Sequence, residues 1–137
     1  MSESGILTVH LRERVAEQVL RDEIAQWLGV SKESLEPLDV ATPATLVPYQ
    51  YTPRARGFLL TIEVYAGQAP GYVPGSDIAL AQHLARRFAQ DAVVSPPGSG
   101  ERPYQWLLVR PDGTTALVSE VISDDDEDGL VIGDPGV

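Results

Sequence analysis

The chain has 137 residues, with 20 Asp or Glu against 10 Lys or Arg, a formal charge of -10 and no cysteine. A single domain of this length buries about two-thirds of its unfolded surface without covalent staples. The lack of cysteine excludes disulfides, thiolate zinc sites and cysteine nucleophiles, and it fits a reducing cytoplasm.

Two further classes are disfavoured. Nucleic-acid binding needs a basic footprint, and this domain has a net acidic one. No apolar run approaches the roughly 18 residues of a membrane helix. The opening Met-Ser-Glu-Ser-Gly has no basic stretch leading into an apolar run, so no secretory signal is expected.

Leu7, Val9 and Leu11 alternate with Thr8, His10 and Arg12, the period of a half-buried strand. A helix is predicted from about Glu13 to Leu28, with Ala16, Val19, Leu20, Ile24, Trp27 and Leu28 on one stripe and Gly29 ending it. Ser31 to Leu35 reads as a short turn. Pro37, Pro43, Pro48 and Pro53 then punctuate a stretch in which any strand, such as Leu46 to Tyr51, is expected at a sheet edge, because proline removes a ladder donor.

Gly57 to Ala66 is the clearest strand. Phe58, Leu60, Ile62 and Val64 fall on one face, and Leu59, Thr61, Glu63 and Tyr65 on the other. Pro70-Gly71 and Pro74-Gly75 mark a loop, after which Ser76 or Asp77 is placed to cap a helix whose stripe is Ile78, Ala81, Leu84, Ala85 and Phe88. Ala92 to Ser95 reads as a short strand. Tyr104 to Arg110 and Thr115 to Ile122 follow as two strands joined by Pro111-Asp112-Gly113-Thr114, a hairpin turn. The order predicts an α+β domain with a ferredoxin-like layout over residues 1–122, mainly antiparallel, with two helices on one face. Residues 123–137 are set apart as an acidic tail.

That tail concentrates the charge. Glu120, Asp124, Asp125, Asp126, Glu127, Asp128 and Asp134 lie within fifteen residues without a Lys or Arg, whereas residues 1–119 carry 13 acids against 10 bases. Such a field attracts cations or a basic protein surface. Asp124-x-Asp126-x-Asp128-Gly129 matches the first half of a calcium loop, but the twelfth position, which should be a bidentate Glu, is Pro135. A solvated acidic appendage is the plainer account, and an acidic surface for a cationic partner lies between the two.

Other chemistry is sparse. His10 and His83 form no metal-binding spacing; His10 is read as a sheet-surface residue and His83 as an exposed helix position. No G-x-S-x-G elbow, phosphate loop or dinucleotide fingerprint is present, and no cofactor is expected. Tyr49, Tyr51 and Tyr72 are read as lying in proline-bounded loops, where they serve either as interface anchors or as a lid on the open face of the sheet. Trp27 and Trp106 read as core.

The run Leu84-Ala-Arg-Arg-Phe-Ala-Gln-Asp-Ala-Val-Val-Ser, a loop, then Pro103-Tyr-Gln-Trp-Leu-Leu-Val-Arg-Pro-Asp-Gly resembles in layout the small immunity proteins of bacterial polymorphic-toxin systems. Those pair a sheet with two helices and protect the producing cell by binding a cognate toxin. The resemblance covers residues 6–122 as architecture and carries over no site residue. It implies a cytoplasmic, non-enzymatic protein-binding module. The charge asymmetry and the missing catalytic set, not the resemblance, extend this to neutralising a basic toxin, with Glu120 and Asp124 to Asp128 expected to steer and Tyr49, Tyr51 and Tyr72 to anchor. Two alternatives stay open. One is an enzyme or small-ligand binder using a cleft between the sheet and the loops at 43–56 and 66–75, where Glu63, His10 or Arg54 would converge. The other is an oligomeric component, for instance a homodimer, pairing through the Thr115–Ile122 edge.

Overall fold

A computed structural model describes residues 5–73, 76–95, 105–120 and 129–132. The acidic residues Asp124 to Asp128, and with them the calcium-loop positions, lie outside the described residues, as do Asp134 and Tyr104. The fold is α+β: a seven-stranded, mostly antiparallel sheet and two helices.

The sheet is built outward from one central pair. Strand β1 (Ile6–Leu11) runs antiparallel to β5 (Leu60–Tyr65), with Leu7 opposite Val64, Val9 opposite Ile62 and Leu11 opposite Leu60. All six are buried on one face. The intervening pairs, Thr8 with Glu63 and His10 with Thr61, face the other way. Strand β3 (Val47–Pro53) flanks β5, and β2 (Leu35–Pro37) pairs in parallel with its first three residues. On the far side of β1 lie β6 (Ala92–Val94), β7 (Gln105–Val109) and β8 (Thr115–Ser119), giving the order β2-β3-β5-β1-β6-β7-β8. The inner order β3-β5-β1-β6, with a helix after β1 and another after β5, is compatible with the ferredoxin-like layout.

Helix α1 (Glu17–Leu28) and helix α2 (Asp77–Phe88) share one face of the sheet: Leu20, Ile24 and Leu28 of the first, and Leu80, Ala81 and Leu84 of the second, join Leu7, Val9 and Leu11 in a single cluster. Helix α1 begins four residues later than the periodicity predicts. Residues 13–16 are spoken for elsewhere: the Glu13 N–H donates to Gln90 Oε1 at 2.7 Å, and the Val15 carbonyl accepts from the Tyr51 hydroxyl at 2.6 Å. Asp77 opens α2 as expected. Its carboxylate, however, accepts the Thr8 N–H of β1 at 3.0 Å, so it ties the helix start to the sheet, while Ser76 makes no side-chain cap.

Three further expectations change. Strand β3 is one place in from the edge over Val47 to Tyr49, because the short β2 covers it there, Pro48 included; beyond Tyr49 it is an edge among the described residues, which suits Pro53. The long strand predicted from Gly57 is broken: β4 (Arg56–Gly57) precedes Phe58, and Gly57 takes φ +68. Phe58 is thereby swung away from Leu60 and Ile62, into a second cluster with Val93, Leu108 and Val118 on the opposite face. Part of the segment after Ile122 also returns to the domain. Strand β9 (Gly129–Leu130) pairs in parallel with β4, Ile132 bridges Glu120, and Ile132 packs on the second cluster.

The turn after β7 behaves as its sequence implies. Asp112 Oδ1 accepts the Thr114 N–H at 2.9 Å and its hydroxyl at 2.7 Å, bonds that hold the carboxyl below its usual range, and Gly113 takes φ +91. Gly5 and Gly29 have nearly equal φ, +73 and +76, but different surroundings. A Cβ on Gly5 would lie 2.8 Å from the Gly67 Cα, whereas one on Gly29 would meet nothing within 4 Å. Gly29→Ala should therefore cost about 1 kcal/mol from left-handed backbone strain alone, and Gly5→Ala on the order of 2–3 kcal/mol. Urea unfolding of the two variants checks this, and equal losses would contradict the close approach.

Candidate functional site

A groove that carries both charge and exposed apolar surface lies beside the start of α1. It has a volume of about 600 Å³ and is lined by Glu17, Leu38, Asp39, Val40, Tyr49 and Tyr51, among others. Each wall has a sequence origin. Glu17 is the first residue of α1. Leu38 to Val40 form a single 3₁₀ turn after Pro37, which halts β2. Tyr49 and Tyr51 point to the helix face of β3, opposite Val64 and Ile62.

The tyrosines thus sit in a strand, and they differ from one another. Tyr49 is only 4% exposed and belongs to the main core, while its hydroxyl donates to Glu17 Oε2 at 2.8 Å. Burial and the Glu17 hydrogen bond push the Tyr49 hydroxyl up to about 12, with the Glu17 and Asp39 charges adding to the effect and Arg21 opposing it. Tyr51 is partly buried; desolvation, with the charge of Glu17, raises its hydroxyl as well. Both rings therefore brace the groove floor more than they project from it. Tyr72 packs against the main cluster away from this groove.

Leu38 (40% exposed) and Val40 (60%) are the apolar side chains left open at the rim. Neither they nor Glu17 and Asp39 stand out in the sequence. Leu38-Asp39-Val40 falls in the proline-rich stretch without periodicity, and the contact of Glu17 with β3 is purely tertiary. The one readable hint is a pair of large aliphatics in a segment that builds no regular element.

Glu120 lies elsewhere, at the end of β8. Its carboxylate accepts the Trp106 indole N–H at 3.2 Å on the face away from the helices. His10 is on that face too, and it is not a simple surface residue. Trp106 stands edge-on to it at 5.0 Å between ring centres, and Nδ1 lies 2.8 Å from the Thr61 hydroxyl. Arg54 Nε donates to the same hydroxyl at 3.1 Å. The Thr61 hydroxyl thereby links the His10 ring to the Arg54 guanidinium. Desolvation, helped by the Arg54 charge, lowers the His10 pKa from 6.5 to about 4.

His83, read as exposed, is engaged between the helices. Its Nε2 lies 2.6 Å from Glu23 Oε2, while Arg87 Nε donates to Glu23 Oε1 at 3.2 Å. This pins α1 to α2. The cleft expected near loops 43–56 and 66–75 exists as a hollow of about 370 Å³ that includes Thr42, Leu46, Pro48, Tyr65 and Gln68. Its lining has no carboxylate, imidazole, guanidinium or amine. Glu63, His10 and Arg54 do not line it. No group of three or more His, Cys, Asp or Glu among the described residues is placed to hold a metal.

The His10 arrangement has a pH consequence. The unfolded chain binds a proton at this ring near 6.5 and the folded chain only near 4, so between those values the unfolded state holds more protons. Stability should fall as pH drops through that window. His10→Gln should flatten the decline relative to the parent chain, as read from urea midpoints at pH 7 and at intermediate acid pH. Parallel slopes for the two proteins would contradict the partly buried, desolvated neutral ring.

No protein-family model matches this chain, and no curated protein or solved structure matches it. The functional reading therefore rests on the chemistry of the site itself.

Proposed function

We propose that this chain is a protein-binding module, immunity- or antitoxin-like, that neutralises a basic toxin through an acidic surface and performs no chemistry of its own. The observation that carries the reading is the groove beside α1. Two carboxylates, Glu17 and Asp39, border the exposed Leu38 and Val40 in one concavity of about 600 Å³. That combination suits a protein side chain with a cationic end and an aliphatic stem, because charge and apolar area are met together. The net charge of -10 adds a long-range field that speeds encounter with a basic surface. The resemblance in layout to small immunity proteins, drawn from the sequence, motivates the same class.

The experiment is a pull-down with the tagged chain against the product of a neighbouring open reading frame that encodes a basic toxin domain, at low and high salt. The expected result is a complex that weakens as salt rises, since screening cuts the charge contribution. The double variant Glu17→Gln, Asp39→Asn should weaken it by on the order of tenfold or more. A complex indifferent to both salt and these substitutions would contradict the acidic-surface reading, as would failure to recover any basic protein at low salt.

One observation favours a second reading, an oligomeric component. Strand β8, Thr-Ala-Leu-Val-Ser, ends the sheet, is uncharged, and leaves Leu117 55% exposed. Such an edge lacks the charged residues or proline that usually block strand pairing. Leu117→Lys should leave the sedimentation behaviour of a monomer unchanged and should dissociate an edge-paired dimer.

A further inference from the structure

The groove has a second property, independent of its charge. Strand β2 ends at Pro37, opposite Tyr49, whereas β3 continues to Pro53. Among the described residues no strand lies beside the outer edge of β3 from Gln50 to Pro53. The opening is about 13 Å long, four residues at strand rise. It coincides with the groove, because Pro37, Gln50 and Tyr51 are lining residues alongside Glu17 and Asp39. Gln50-Tyr51-Thr52-Pro53 carries no charge of its own and its one proline lies at the far end, so Gln50 to Thr52 are unguarded where the carboxylates stand over them.

We propose that an extended segment of a basic protein adds as a strand to this edge of β3, carrying on from where β2 stops, and sets a Lys or Arg side chain between Glu17 and Asp39. The proposal rests on the acidic-surface reading above and specifies how the partner is held. Main-chain hydrogen bonds to β3 supply attachment, and alternate side chains supply specificity. Those on the helix side meet the two carboxylates with their stems against Leu38 and Val40. Tyr49 occupies Glu17 Oε2 and so orients the carboxylate, presenting Oε1 to an incoming donor. The cations nearest the groove do not fill that place: Arg14 donates to the Arg54 carbonyl, and Arg21 lines the adjoining hollow on the α1 side.

The test uses the full chain, isotope-labelled for NMR, and three blocked pentapeptides. The first is Thr-Val-Arg-Val-Thr. The second replaces its Arg with Glu, and the third is N-methylated at the backbone nitrogens flanking the Arg. The first peptide should shift the Gln50, Tyr51 and Thr52 amides and slow their hydrogen exchange, while the other two should bind at least about tenfold more weakly. Glu17→Gln and Asp39→Asn should each reduce the preference for Arg over Glu. If the N-methylated peptide binds as well as the first, strand addition is overturned and the acidic protein-binding surface stands. If the Arg and Glu peptides bind alike, the charge reading fails as well. If the Gln50–Thr52 amides are unperturbed up to millimolar peptide, the proposed edge site is overturned outright.

Discussion

The antiparallel pairing of β1 with β5 is the constraint on which the rest of the molecule depends. Its register places Leu7, Val9, Leu11, Leu60, Ile62 and Val64 on one face, and His10 and Thr61 on the other. Each large aliphatic buried under the helices stabilises the fold by about 1.5–3 kcal/mol relative to exposure, so the central pair fixes which face the helices cover. A slip of β1 by one residue would expose Leu7, Val9 and Leu11 and carry His10 under α1 and α2, away from Thr61. Strand β3 takes its register from β5, and β6 takes its from β1. The groove at Tyr49 and Tyr51 and the polar network at His10 therefore inherit their positions from this one ladder.

The sheet is closed on both sides, by unequal means. The helix face carries a continuous core. The other face carries a smaller cluster of Phe58, Val93, Leu108 and Val118, with Trp106 and Ile132 against it. That second cluster accounts for the position of residues 129–132. Ile132 packs there, Gly129–Leu130 pairs with Arg56–Gly57, and Glu120 is bonded to Trp106. The acidic run from Asp124 to Asp128 is thus bracketed in the sequence by two anchored positions, Glu120 and Gly129. The second group of carboxylates, Glu17 and Asp39, lies at the groove on the helix face. Acidity in this protein is distributed between two places, one legible as a run of aspartates and one assembled only by folding.

Legibility in the sequence follows the range of the interactions. β1, the body of β5, α2 and the β7–β8 hairpin were readable because their periodicity and turn residues are local. The late start of α1 was not, because what holds residues 13–16 extended is Gln90 and Tyr51, far along the chain. Strict alternation through Gly57 puts Phe58 on the wrong face, because the positive φ at Gly57 breaks the alternation. His10 was placed on the correct face. Its burial depends on Trp106, nearly a hundred residues away in sequence. The groove shows the same limit: tyrosines near prolines drew attention to β3, yet the carboxylates and aliphatics that give the site its chemistry come from α1 and a 3₁₀ turn.

The most direct test of this account is native-state hydrogen exchange across the sheet. If the β1–β5 pair is the element on which everything else is registered, the amides of Val9, Ile62 and Val64 will exchange only through global unfolding and will be the slowest in the protein, with β2, β8 and β9 opening at lower free energy. Should β1 and β5 open locally, as readily as the edge strands, the central ladder would not be the organising constraint, and the placement of both the groove and the His10 network would need another cause.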